Sequence, residues 1–470
     1  MDRLVLSVFL CWALCAEAGE FRVDGGCADG VRDMTAELQR VIDDASAKGG
    51  GRVVVPKGNY VVCALELKSG VDLHLEEGAA LLSVTNLETY RVSRRMNSMV
   101  FASRARDVSV TGRGTIDGRG AYFDRVIERK PGLRLRGGWR TLTFDGCTNV
   151  TVEGVSLLGA ASWTLFLKHS DGVTVRGIRL FGHANYCNDG IDIASKNVLV
   201  ENCDIDAEDD AIVFKTIHPD FSVENVEVRN CRLASNSSNI KFGTESHGAF
   251  RNVRVHHCSI GCKTPSHTIA PHNFPGEERD VRNHAISGIE VFAVDGGSIE
   301  DVVVSDIEMG EGVDTPIFIR LARRHEPPSG RSSYMKNVTI ERVTMKASSC
   351  CAIANAIAGV PGLRPQNVVI RDVELKMMGG GSEVQAAETY ADERERAFPM
   401  PYALFKSMLP AYGFYVRHAD GVRFENVRMS YADGKEGRPA IVTDDADVTL
   451  AECALMPPKG KFSKESVLRR

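Results

Sequence analysis

The sequence predicts an all-β solenoid, a right-handed parallel β-helix with an N-terminal capping helix. A motif of the form Asn/Asp/Gly-Val-x-Val recurs along the chain. It stands at Asn149-Val150-Thr151-Val152 and again around Val173, Val198, Val226, Val253, Val302, Val338, Val368 and Val422. In sequence number the successive intervals are 23, 25, 28, 27, 49, 36, 30 and 54. The first four fall in the range that marks stacked repeats; the two longest are read as two units, or as one unit with an insertion. Within each unit apolar residues alternate, so each segment is a short strand with one face to bury. Such a strand cannot bury that face alone, and stacking in register supplies a continuous core. No helical periodicity alternates with the strands, which argues against βαβ units. A β-propeller is the competing architecture, but it needs about 40 residues and four strands per blade.

The elements follow in order. Arg3 precedes an apolar run from Leu4 to Ala16, and Ala16-Glu17-Ala18 offers small residues for cleavage. Residues 1–18 therefore read as a secretory signal peptide cut after Ala18, too short to be a membrane span. Thr35 to Ala47 reads as an amphipathic helix: Leu38, Val41, Ile42 and Ala45 share one stripe, and Gly49-Gly50-Gly51 stops it. A solenoid end exposes unpaired backbone and core, and a helix is a natural lid for it. Arg52-Val53-Val54-Val55-Pro56 is the first full strand. One domain is expected over 19–456, because a solenoid grows as a single body. Gly379 to Arg396 reads as a surface insertion, and 457–470 as a loose basic tail.

Composition narrows the partners. The formal net charge of -5 gives no support to nucleic-acid binding. A polyanionic ligand needs a local basic groove, and Lys215, Lys241, Lys263 and Arg282 are the cations near the acidic motifs. Of 13 cysteines, two lie in the leader, so the remaining 11 include at least one free thiol. Cys203, Cys231 and Cys258 recur at one repeat position and read as a stack of small buried side chains. No Cys-x-x-Cys accompanies them, which disfavours a metal. Cys350–Cys351 and Cys258–Cys262 are candidate disulfides.

Two motifs carry chemistry. Asn188-Asp189-Gly190-Ile191-Asp192-Ile193 and Glu208-Asp209-Asp210-Ala211-Ile212 set Asp189 and Asp210 one repeat unit apart. If each unit is one coil, Asp189, Asp209 and Asp210 meet on one face. Like charges packed together cost free energy unless one stays protonated, and glycosidic hydrolysis needs one carboxylic acid and one carboxylate at the same bond. The alternative is a polar ladder capping the turns. Asp192, three residues after Asp189, reads as structural.

With these motifs the chain resembles glycoside hydrolase family 28, the polygalacturonase group, in a divergent bacterial branch. The likeness extends to Gly30-Val31-Arg32-Asp33-Met34-Thr35, Gly78-Ala79-Ala80-Leu81, Gly114-Thr115-Ile116-Asp117-Gly118 and Ser162-Trp163-Thr164. It implies a secreted, inverting glycosidase that cleaves galacturonosyl linkages of pectin, of the polygalacturonan or rhamnogalacturonan type. Asp209 matches the general acid, and Asp189 with Asp210 the pair that activates water. Inversion generally implies about 6.5–9.5 Å between acid and base. Lys215 falls where a cation can grip a uronate carboxylate. Two signatures of the family are absent: Ser237-Ser238-Asn239 stands where Gly-His-Gly is expected, and Ile289-Glu290-Val291-Phe292 where Arg-Ile-Lys is expected. Lys241, Glu245 and Arg320 are the candidates to replace those substrate contacts. His267, His272 and His284 lie in an irregular stretch without ligand spacing, so neither a metal nor a cofactor is expected. The expected partner is a galacturonide oligo- or polysaccharide, with no nucleic acid, no membrane, and a monomer as the default state. A calcium-dependent lyase and a non-catalytic carbohydrate-binding β-helix are the competing functions.

Overall fold

The computed structural model describes residues 19–85, 97–122, 139–185, 187–266, 283–310, 312–324, 330–346, 355–388, 399, 409–432 and 434–470. Its strands pair in parallel and wind into a right-handed β-helix. Val150, Val173, Val198, Val226, Val253, Val302, Val338 and Val368 sit opposite one another in succession. All are at most 3% exposed, so the recurring valine is the inward rung of one sheet. The interval of 49 is a single coil, since Val253 faces Val302 directly. The interval of 54 is likewise one coil, with Val369 facing Arg423. Long intervals are thus insertions, and the register passes beneath them.

Two further ladders close the coil. Leu142, Leu165, Ile191, Ile212, Ile240, Ile289 and Ile317 pair in turn on a second sheet. Ile116, Leu157, Leu180, Ile205, Leu233 and Ile260 do so on a third. The asparagine of the repeat has its own cause. Asn149, Asn197, Asn225, Asn252, Asn337 and Asn367 all adopt positive φ, where asparagine is tolerated better than most residues. Their side chains join along the axis: Asn225 Nδ2 donates to Asn197 Oδ1 at 3.0 Å and Asn252 Nδ2 to Asn225 Oδ1 at 2.8 Å. The polar ladder that caps turns is therefore made of these asparagines.

The helix forms over Thr35–Ala47 and buries Leu38, Ile42 and Ala45 against the first coil, as its stripe requires. Two expectations need correction. The tail is not wholly loose: Val467–Arg469 adds a parallel strand beside Ile441, Val442 and Thr443. Cys258 keeps a free thiol buried beside the His256 carbonyl, so the Cys258–Cys262 bridge is not formed. Cys203 and Cys231 are buried thiols as well. Residues 1–18, Cys350, Cys351, His267, His272 and Arg282 lie outside the described residues. Among the described residues no helix is long and apolar enough to cross a membrane.

Candidate active site

The second sheet carries the site on its outer face. Leu165, Ile191 and Ile212 pair in succession and point inward. Two residues earlier, just before the inward rung, the same offsets align Trp163, Asp189 and Asp210. Asn188 shapes the approach to Asp189. Its amide donates to the Ala160 and Ser162 carbonyls at 2.8 and 2.9 Å, and its Oδ1 accepts from the Ala184 and Asn185 N–H groups at 2.9 and 2.6 Å. Gly190 follows because a Cβ there would stand 2.4 Å from the Ala211 carbonyl oxygen and 2.8 Å from Ile205. The motif is thus a backbone lock that delivers one carboxylate to the face.

The structure brings the three predicted aspartates together. One carboxylate oxygen from each of Asp189, Asp209 and Asp210 lies within 4.8 Å of the other two. Asp189 and Asp210 are buried, whereas Asp209 is only half-buried. Lys215 Nζ stands 2.7 Å from Asp189 and 2.6 Å from Asp192. Lys241 Nζ stands 2.9 Å from Asp210 and 3.9 Å from Glu290. Ser237 Oγ donates to Asp210 at 3.1 Å. Asp209 makes no ion pair among the described residues.

Burial sets the protonation of this cluster. It is the largest influence on Asp209, and the charges of Asp210 and Asp189 add to it, so its carboxyl is pushed up to about 8. Burial likewise raises Asp189 well above the carboxylate range, partly offset by Lys215. Asp192 rises to about 6 by burial against the pull of Lys215. Burial opposes the Lys215 charge, yet Asp189 and Asp192 hold its proton more firmly than in water. The face therefore offers a neutral carboxyl at Asp209, which has no ion pair among the described residues, beside Asp189 and Asp210, each in contact with an ammonium.

The predicted binding residues divide. Lys215 and Lys241 belong to the cluster, but each is buried and already engaged by carboxylates, where the sequence suggested a cation open to substrate. Glu245 is half-buried nearby; burial would raise its carboxyl, but Lys215 and Arg324 bring it below the ordinary range. Arg320 is buried and lies on the strand Val313–Leu321, three strands beyond Asp210's, with Nη1 donating to the Gly359 carbonyl at 3.1 Å. At about 4.8 Å per strand it is roughly 14 Å along the axis from Asp210. His284 lies 3.6 Å from Asp314 and is outside the aspartate cluster. The residues in place of Gly-His-Gly are structural ties: besides Ser237, Ser238 Oγ donates to Glu290 at 2.8 Å, and the Asn239 amide to the Leu233 and Gly261 carbonyls at 3.0 and 2.7 Å.

Several residues went unassigned in the sequence. Glu290 is fully buried, accepts from Ser287 at 2.6 Å, and is pushed up to about 7 by burial against the pull of Lys241. His183 bridges Asp206 at 2.8 Å and Glu208 at 3.0 Å, bracing the turn that carries Asp209. Burial disfavours its charge, but the two carboxylates raise it to about 9. Trp163 was visible as part of a motif without a role; its ring centroid lies 3.7 Å from Lys215 Nζ. The one-coil spacing from His183 to Asp206 and Glu208 was the signal available for the brace.

Comparison with known proteins follows the same lines. The family model described as Glycosyl hydrolases family 28 matches residues 46–392. A probable polygalacturonase of Vitis vinifera is 25% identical over 282 residues, covering 54% of this chain and 56% of the relative. A probable polygalacturonase of Arabidopsis thaliana is 22% identical over 395 residues, covering 80% and 82%. The chain thus spans little more than half of the grapevine relative. Among solved structures, a hyperthermoactive exopolygalacturonase from Thermotoga maritima superposes with a TM-score of 0.62 at 19% identity, covering 88% of this chain and 92% of that one. At that identity the likeness speaks to the fold.

Proposed function

This chain belongs to glycosyl hydrolases family 28, a family of glycosidases, and from that premise we propose that it hydrolyses galacturonosyl linkages of pectin. The observation that carries the reading is the asymmetry of the aspartate cluster: a half-buried Asp209 without an ion pair beside two aspartates that each contact an ammonium. Asp209, protonated up to about pH 8, donates its proton to the glycosidic oxygen as the bond breaks. Asp189 and Asp210 orient a water, and the pair takes up its proton as the bond to the anomeric carbon forms. Lys215 and Lys241 limit the repulsion among the acids and fix their positions, a different role from gripping substrate. Glu245 and Arg320 remain candidates for substrate contacts farther along the face. The apolar leader at residues 4–16 supports secretion.

Stereochemistry has two readings. The family resemblance supports inversion. Retention, in which a carboxylate attacks the anomeric carbon directly, is the alternative outcome. Proton NMR of the first-formed anomer decides between them, β product from an α linkage meaning inversion. A calcium-dependent lyase is disfavoured because Lys215 and Lys241 already place positive charge on two of the three possible ligands. The functional test is product profiling on polygalacturonate and rhamnogalacturonan backbone, with an Asp209→Asn control. Saturated products that vanish in the control support the reading. Unsaturated, ultraviolet-absorbing products or no cleavage overturn it.

A further inference from the structure

The cations at the centre of the site are spent on acids. Lys215 and Lys241 are paired as described, Arg324 makes two contacts to Asp295 at 3.0 and 2.8 Å, and Lys168 meets Asp145 at 2.7 Å. Arg140 is the exception. Among the described residues it makes no ion pair, and its buried Nε has no hydrogen-bond partner. Its position is fixed by the fold. Leu142, Leu165, Ile191 and Ile212 pair in succession, so two residues earlier Arg140, Trp163, Asp189 and Asp210 form one row along the axis.

The surroundings hold the guanidinium in place. Its Cζ lies 4.8 Å from the Trp163 ring centroid and 4.9 Å from that of Phe166, and the two rings meet edge to face at 5.0 Å. Aromatic faces stabilise a guanidinium without consuming its hydrogen bonds, which leaves the planar fork for an external acceptor. A half-buried arginine with an unsatisfied donor is costly in the free protein, and an anion relieves that cost. Arg140 stands two strand spacings before Asp189, roughly 10 Å. An anion bound there belongs to a sugar other than the one whose bond is cut.

We infer that Arg140, held by Trp163 and Phe166, forms an anionic-sugar subsite that binds the free carboxylate of a uronic acid distal to the cleavage point. This rests on the proposed pectin hydrolase reading for the class of chain but is tested apart from turnover. Arginine suits the task because its fork meets a carboxylate bidentately, and esterification of that carboxylate removes both the charge and one acceptor.

The test uses the full chain carrying Asp209→Asn, so that ligand survives, and titrates it calorimetrically with a galacturonate tetramer and with its methyl ester. The subsite predicts preference for the free acid. Adding Arg140→Gln should weaken free-acid binding about tenfold, which is about 1.4 kcal/mol, and erase the preference; Arg140→Lys should retain part of it. In the active chain the same substitution should raise KM on de-esterified pectin more than it lowers kcat. Equal binding of acid and ester, or a preference untouched by Arg140→Gln with an unchanged melting temperature, would overturn the subsite. Absence of cleavage of any pectic substrate, with binding still dependent on Arg140, would overturn the hydrolase and spare the subsite.

Discussion

Two outer faces of the same coil carry charge in opposite ways. On the second sheet, Asp192, Lys241 and Glu290 are buried and their neighbours are packed against them. On the valine sheet, Lys196, Glu224, Arg251, Glu300 and Lys336 face one another in succession, alternating in sign along the axis. That ladder is loose and wet: Lys196–Glu224 and Lys336–Glu300 each span 3.4 Å, with the lysine side chains 44% and 43% exposed. Lys215 and Asp189, by contrast, meet at 2.7 Å at 5% and 4% exposure. Exposed pairs contribute little, while buried ions cost desolvation that only close partners offset. A solenoid gains nothing in stability from the buried set that an apolar patch would not supply, so that face is held for chemistry.

The largest effect that sharpens this contrast is catalytic. Asp209→Asn should lower kcat roughly 10²–10⁴-fold while leaving the melting temperature unchanged or higher, measured by reducing-end release and thermal unfolding. A variant that keeps more than a tenth of the activity would remove Asp209 from its role. Next comes stability. Lys241→Met leaves Asp210 and Glu290 without their cation and should cost about 3–5 kcal/mol in denaturant unfolding. Lys336→Met on the wet ladder should stay within about 0.5 kcal/mol. Similar losses at both positions would erase the distinction between the faces.

Acidity gives a smaller but sharper signature. With Asp209 at about 8 in the fold against its ordinary 3.8, the native state holds the extra proton between those limits. Stability should therefore fall as pH rises from about 4 to about 8, and activity should fall above about 8 as the acid ionises. Asp209→Asn should flatten its share of the stability slope, and an activity plateau reaching pH 9.5 would contradict the assignment. His183 gives the smallest expected change. Its pKa is raised from 6.5 to about 9, so its contribution is full below 6.5 and is lost as pH rises through 9. In urea titrations, His183→Gln should remove that alkaline decline; an unchanged pH–stability curve would show that the brace carries no charge.

Much of the fold was legible because its signal is periodic. The valines recur at the inward rung, and the asparagines before them mark a left-handed turn. The aspartates were legible because Asp189 and Asp210 are one coil apart, so a spacing in the chain becomes a neighbour in space. The partners of those charges were not. Lys215 reads equally as a substrate ligand or a counter-ion until its 2.7 Å contact with Asp189 is known. Glu290 lies far along the chain from Asp210, with an insertion between, and no local pattern reveals that they share Lys241. Arg140 likewise stands in an ordinary strand; only the stacking of coils brings it beside Trp163.

That Val253 pairs directly with Val302, despite the insertion between them, has a consequence for how such an enzyme changes its diet. Sequence added between rungs emerges sideways and leaves the rise of the stair untouched. The segments between rungs can lengthen, shorten or be exchanged while the spacing of the aspartates along the second sheet stays constant. The inserted segments and the rungs that carry the acids are thereby free to drift at different rates.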